Sequence, residues 1–226
     1  MKIRAVCFDY GGTLDACGLH WLERFAALYG TGGLNFTWDE IRAAFDHATQ
    51  LAYRDSRVAS FGLQATIEFH VQRQLEHLEL DDPGASSALI SSFVVASRAA
   101  LLESRQVLER LHGRFLLGVI SNFYGNVDRL LDEAGITPLL NVVIDSTRVG
   151  ARKPDARIFE MAVRQLGCEP SETLYVGDSF DKDIVGAHEA GLRTAWLVGA
   201  SERVCPRPEI VDFHLRRLSE LETLIS

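Results

Sequence analysis

Short apolar runs recur along the chain at residues 3–8, 115–120, 141–144, 173–176 and 194–198, and each ends in polar or glycine residues. They are rich in Val, Ile, Leu and Phe without clean alternation, the pattern of parallel strands buried on both faces. Helical periods over 127–134, 156–166 and 183–190 separate the later runs. A β-α-β-α order of this kind predicts an α/β fold, a doubly wound parallel sheet with helices on both faces. Ligands of such sheets bind beyond the carboxyl ends of the strands, so the residues after each strand are where chemistry is expected.

One stretch interrupts the alternation. Residues 16–99 hold no buried strand pattern; apolar positions there fall at helical spacing, at Trp38, Ile41, Phe45, Ala48 and Leu51, then at Leu63, Ile67, Val71, Leu75 and Leu78. Thr37-Trp38-Asp39-Glu40 has the spacing of a capping box, and Asp82-Pro83-Gly84 marks a turn before another helix. The expected organisation is a core of residues 1–15 and 100–226 with an inserted all-helical cap over 16–99. There are no internal repeats.

Composition narrows the function. The chain of 226 residues is 47% hydrophobic and 24% charged, as in ordinary globular proteins. A net charge of −8 argues against a nucleic-acid partner, because phosphate backbones are held by clustered Lys and Arg. No continuous apolar run approaches the ~20 residues of a membrane span, and the apolar run at the N-terminus is too short for a signal peptide. Cys7, Cys17, Cys168 and Cys205 lack CxxC spacing and read as free, mostly buried thiols. The expectation is a cytoplasmic protein without membrane or nucleic-acid partners, monomeric or homodimeric.

The strand ends carry the candidate chemistry. Asp9 follows the first strand and precedes Gly11-Gly12; Ser121-Asn122 follow the second; Lys153 lies beyond the third; and Gly177-Asp178-Ser179 with Asp183 follow the fourth. Several carboxylates in one crevice repel one another unless a cation joins them, and hard oxygen ligands suit Mg²⁺. A metal and a lysine facing one site can share the charge of a transferring phosphoryl group. Between them a carboxylate can serve as nucleophile.

Asp9-Tyr10-Gly11-Gly12-Thr13, Ser121-Asn122, Lys153 in Arg152-Lys153-Pro154, and Gly177-Asp178-Ser179 with Asp183 occur in the order of four motifs. In them the chain resembles the haloacid dehalogenase superfamily, its phosphatase-like branch with a helical cap, over nearly its whole length. The resemblance implies a Rossmann-like core and a Mg²⁺-dependent hydrolase of small-molecule phosphate esters. By it Asp9 is the nucleophile, forming an aspartyl-phosphate; Ser121, Asn122 and Lys153 hold the phosphoryl group; and Asp9, the carbonyl of Gly11, Asp178 and Asp183 bind the metal. The family's usual general acid/base, an Asp, is replaced here by Gly11, which implies slowed catalysis. His20 is a candidate substitute, weighed against a structural role. No lysine falls in the cap, which speaks against a Schiff-base route to phosphonates. Two alternatives remain: an attenuated metabolite-binding or interaction module, favoured by Gly11, and a 2-haloacid dehalogenase, disfavoured by the apparent metal site. Asp15, Asp155 and Asp181 read as caps or solvated charges, and Gly30, Gly32 and Gly33 as a turn.

Overall fold

The computed structural model describes residues 2–225. Six parallel strands, β1 (Ala5–Phe8), β2 (Leu116–Ser121), β3 (Val142–Asp145), β4 (Thr173–Gly177), β5 (Arg193–Leu197) and β6 (Phe213–Leu215), form one sheet in the order β3-β2-β1-β4-β5-β6. The order reverses at β1, whose two neighbours are β2 and β4. That reversal opens the crevice in which a doubly wound sheet binds its ligand.

Strand β1 explains why the apolar runs do not alternate. Val6 and Phe8 point into one core cluster, Ala5 and Cys7 into another on the opposite face. The helices therefore fall into two layers. Ahead of β2 come α1 (Trp21–Thr31), α2 (Trp38–Arg54), α3 (Leu63–His77) and α4 (Pro83–Leu111); after it come α5 (Val127–Glu133), α6 (Ser146–Val149), α7 (Ala156–Leu166), α8 (Gly186–Glu189) and α9 (Leu221–Leu224). Residues from α4 and α5 join the first cluster. Ile158, Phe159 and Ala162 of α7 fill the second.

Residues 16–99 are helical, without a strand among them. Thr37 closes the expected capping box with Glu40, and Asp82 caps α4 through the Ala85 N–H at 2.9 Å. Helix α4 runs unbroken through the boundary expected at 99/100. It is also long and apolar enough, by length and composition, to cross a membrane, with mean hydropathy 1.5 over 18 residues. No uninterrupted apolar run revealed this, because Ser and Arg are interspersed. In the fold, Leu89, Phe93, Leu101 and Leu108 of α4 are buried against the rest of the chain.

Several local expectations are corrected. Strand β6 lies outside the apolar runs, since three residues offer too little pattern. Gly30 lies inside α1 and only Gly32 and Gly33 form its end. The stretch from 183 to 190 is helical as expected, but it begins earlier, as a wider π-helix over Phe180–Val185 that runs directly into the short α8. The four cysteines are free, but only Cys7 is buried.

Candidate functional site

β1, β2 and β4 deliver their C-terminal residues to one point. Asp9 leaves β1 with its N–H held by the Val176 carbonyl of β4 at 2.9 Å. Its carboxylate Oδ1 accepts the Ser121 hydroxyl at 2.7 Å and lies 2.8 Å from Lys153 Nζ. The same ammonium is 2.6 Å from Asp183 Oδ1 and donates to the Tyr175 hydroxyl at 2.8 Å. Asp183 Oδ2 accepts the Ser179 N–H at 2.9 Å. Asp9, Ser121, Lys153, Asp178 and Asp183 are all buried.

A buried ion pair is retained only when its charges are satisfied by partners. Here burial pulls the lysine toward neutrality, but Asp183 and then Asp9 outweigh it and raise its pKa. Burial likewise raises the pKa of Asp183, partly countered by Lys153. Asp178 is the extreme case: burial first, then Asp183 and Asp9, hold its carboxyl well above the usual range. Thr13 donates to its Oδ1 at 3.0 Å, while Oδ2 is buried without a partner. Asp9, Asp178 and Asp183 each offer an oxygen within 4.8 Å of the others. An orphaned buried acceptor inside a crowded triad of hard oxygens fits a divalent cation of the Mg²⁺ type.

The loops are fixed from several directions. Gly12 has φ +93°, and a Cβ there would meet the Asp178 carboxylate at 2.6 Å, so glycine is required. Gly11 differs: its φ of −77° and ψ of 113° suit any residue, and a Cβ would sit 3.7 Å from both Trp21 and Phe123. Asn122, expected to bind phosphate, has its amide engaged from both sides by the Lys153 main chain, at 2.9 and 2.8 Å. Its side chain thus sets the position of the lysine. Asp145, at the end of β3, accepts the Gly125, Val127 and Thr147 N–H groups and pins the loop after β2.

Other participants were missed in the sequence. Tyr175 joins Lys153, Asp183 and the Ile120 carbonyl, yet in an apolar strand nothing marks it. Thr13, inside the first motif, puts its hydroxyl on Asp178. Asp15, expected to be a cap or solvated, is fully buried and accepts from the Gly12 N–H at 2.7 Å, Trp21 Nε1 at 2.6 Å and Arg24 Nη1 at 3.3 Å. Asp155 does cap α7.

Over the charged floor lies a cavity of about 70 Å³ whose wall includes His20, Trp21 and Phe45 from the insert and Phe123 and Tyr124 from the loop after β2. The insert is tied down nearby: His70 Nε2 and the Tyr124 hydroxyl share a 2.8 Å hydrogen bond, and Glu133 accepts the Leu63 N–H at 3.0 Å. His20 caps α1, its Nδ1 accepting the Leu22 N–H at 3.2 Å. Burial and then Lys182 push its pKa down to about 4.

Residues 3–191 match the model of the haloacid dehalogenase-like hydrolases, and the chain belongs to that family. The pyrimidine 5'-nucleotidase YjjG of Escherichia coli is 32% identical over 121 residues, 53% of each chain. A glyceraldehyde 3-phosphate phosphatase of Methanopyrus kandleri is 40% identical over 90 residues, 38% of this chain and 39% of that one. The matches thus span about half the length of these curated relatives or less. Among solved structures, a phosphatase of the family from Thermococcus onnurineus superposes with a TM-score of 0.59 at 24% identity, covering 99% and 98% of the two chains. A dehalogenase in an intermediate complex superposes at 0.69 with 19% identity over 99% and 97%. At such identities the superpositions speak for the fold alone.

Proposed function

We propose that the protein is a Mg²⁺-dependent hydrolase of small-molecule phosphate esters, acting in the cytoplasm. The observation that carries this reading is one ammonium, Lys153 Nζ, held between Asp9 and Asp183 at 2.8 and 2.6 Å, with the Ser121 hydroxyl on the same Asp9 oxygen. A phosphoryl group seated at Asp9 would meet that lysine and that hydroxyl at once. Asp9, Asp178, Asp183 and the Gly11 carbonyl would hold the metal, which when bound supplies positive charge to the phosphoryl oxygens.

The chain's own residues account for the rest. Asp9 attacks phosphorus and the ester bond breaks, leaving an aspartyl-phosphate. Lys153 and Ser121 spread the charge of the equatorial oxygens. Water then releases phosphate from Asp9. With Gly11 in place of a carboxylate, neither the departing alkoxide nor the attacking water has the usual acid/base partner, an assistance worth roughly 10²–10⁴-fold. Slow turnover and a preference for good leaving groups follow. The helical insert covers the site and selects the substrate.

The test is hydrolysis of an activated aryl phosphate with and without Mg²⁺, alongside halide release from 2-haloacids. Wild type should release phosphate only with the metal and release no halide, and Asp9→Asn should lower kcat by about 10⁴-fold or more. Full activity in EDTA or in the variant would remove the mechanism. Halide release without phosphate release would make the protein a dehalogenase.

A further inference from the structure

In-line displacement places the departing oxygen opposite the attacking one. Asp9 attacks from the core floor, so the leaving group faces the helical insert. Three side chains of the insert line the cavity there: His20, Trp21 and Phe45. Phe45 has no polar atom, and the only donor of Trp21, Nε1, is committed to Asp15 at 2.6 Å. His20 remains. Its Nδ1 is occupied as acceptor of the Leu22 N–H, which puts the proton of the neutral ring on Nε2. Among the described residues nothing accepts from Nε2. That nitrogen is also absent from the buried unpartnered atoms, so it has space in front of it.

We propose that His20 Nε2–H is the hydrogen-bond donor to the leaving oxygen, a catalytic residue supplied by the helical insert in place of the carboxylate that Gly11 lacks. The proposal rests on the phosphatase reading above. As the Asp9 Oδ–P bond forms, the P–O ester bond breaks and its electron pair stays on the departing oxygen. Nε2–H stabilises that charge, and solvent water completes the alcohol. Two features support the assignment. The capping box at the start of α1, with the His20 N–H on Glu23 Oε2 at 3.0 Å and Nδ1 on Leu22, holds the ring in one tautomer and orientation. The ring also packs edge-on against Phe45, centroids 5.8 Å apart, which limits its rotation. Lys182 lines the cavity too, but it belongs to the core, on the π-helix over Phe180–Val185 that follows β4.

His20→Ser keeps a capping hydroxyl for α1 and withdraws the donor from the cavity; His20→Asn, another good cap, serves the same test if Ser lowers stability. With the full chain and Mg²⁺, kcat/KM is measured on a series of aryl and alkyl phosphates. The expected result is a loss of about 100-fold on alkyl esters, the low end for removing one donor to a developing oxyanion, against at most about threefold on activated aryl esters. Equal losses in both classes, no loss, or a wild type that turns over aryl but no alkyl esters would each overturn the proposal. A wild type that hydrolyses neither class would remove the phosphatase reading itself, and this donor with it, a failure visible before any variant is made.

Discussion

The two sides of the cavity are built on opposite physics. The core side buries charge: Asp9, Asp178, Asp183 and Lys153 sit at the ends of strands and loops, each placed by backbone geometry and by one another. The insert side, with the loop facing it, buries aromatic surface. Trp21 meets Phe123 and Phe93 edge-on, Phe25 stacks on Phe93 at 4.5 Å, and His70 packs among Trp21, Phe45 and Tyr124. Charge demands exact partners and penalises the loss of any one. Aromatic packing is less exacting, so a single substitution in this wall should cost less than one in the floor.

The largest effect should come from breaking the floor. Lys153→Met leaves two buried carboxylates without their cation, and unfolding in urea should show a loss of about 3–5 kcal/mol. A loss under about 1 kcal/mol would mean that the carboxylates take up protons at little cost and that the lysine is not what permits their burial.

Asp178→Asn tests the same crowding from the other direction. It removes a carboxylate whose pKa is raised by burial and by its neighbours, so the variant should melt no lower than wild type in EDTA. Wild type at a hundredfold excess of Mg²⁺ over its Kd should gain about 2.7 kcal/mol by mass action, and the variant little of it. An equal gain in both would place the metal elsewhere.

The insert side should respond to pH. Burial lowers the His70 pKa to about 3, below its unfolded value near 6.5. Between those values the unfolded chain binds the extra proton, so stability falls as pH drops through 6.5 toward 3. From pH 7 to 5 this group should cost about 2 kcal/mol, and His70→Leu should flatten that part of the profile. An unchanged slope would assign the acid sensitivity to other groups.

The smallest effect sharpens the boundary between the two sides. Gly11→Asp places a Cβ at ordinary contact distance from Trp21 and Phe123. If the carboxylate reaches the water that attacks the aspartyl-phosphate, steady-state turnover should rise about tenfold, and the initial burst of product expected of the wild type in rapid quench should shrink. A burst of unchanged size would show that release from Asp9 does not limit turnover.

The doubly wound sheet was legible because strands buried on both faces leave continuous apolar runs, and because a two-layer helix arrangement demands their alternation with helical periods. The floor was legible for a related reason: Asp9, Ser121 and Asp178 each stand at or just beyond a strand end, so chain order alone puts them on one edge. Asp15 and Tyr175 were not legible. Asp15 reads like any turn carboxylate until Trp21 and Arg24 close on it from a helix that begins six residues later. Tyr175 reads as core, and only the parallel register of β4 with β1 puts its hydroxyl beneath Lys153.

By itself, then, the sequence determined the class of fold, the helical nature of residues 16–99 and the residues of the charged floor, since each rests on local pattern and on strand order. The tertiary structure decided which groups meet: the lysine between two carboxylates, the amide of Asn122 turned to the main chain, the His20 ring brought to the cavity wall. Those outcomes depend on distances between segments far apart in the chain. Local propensity carries no information about such distances until the sheet and the insert close together.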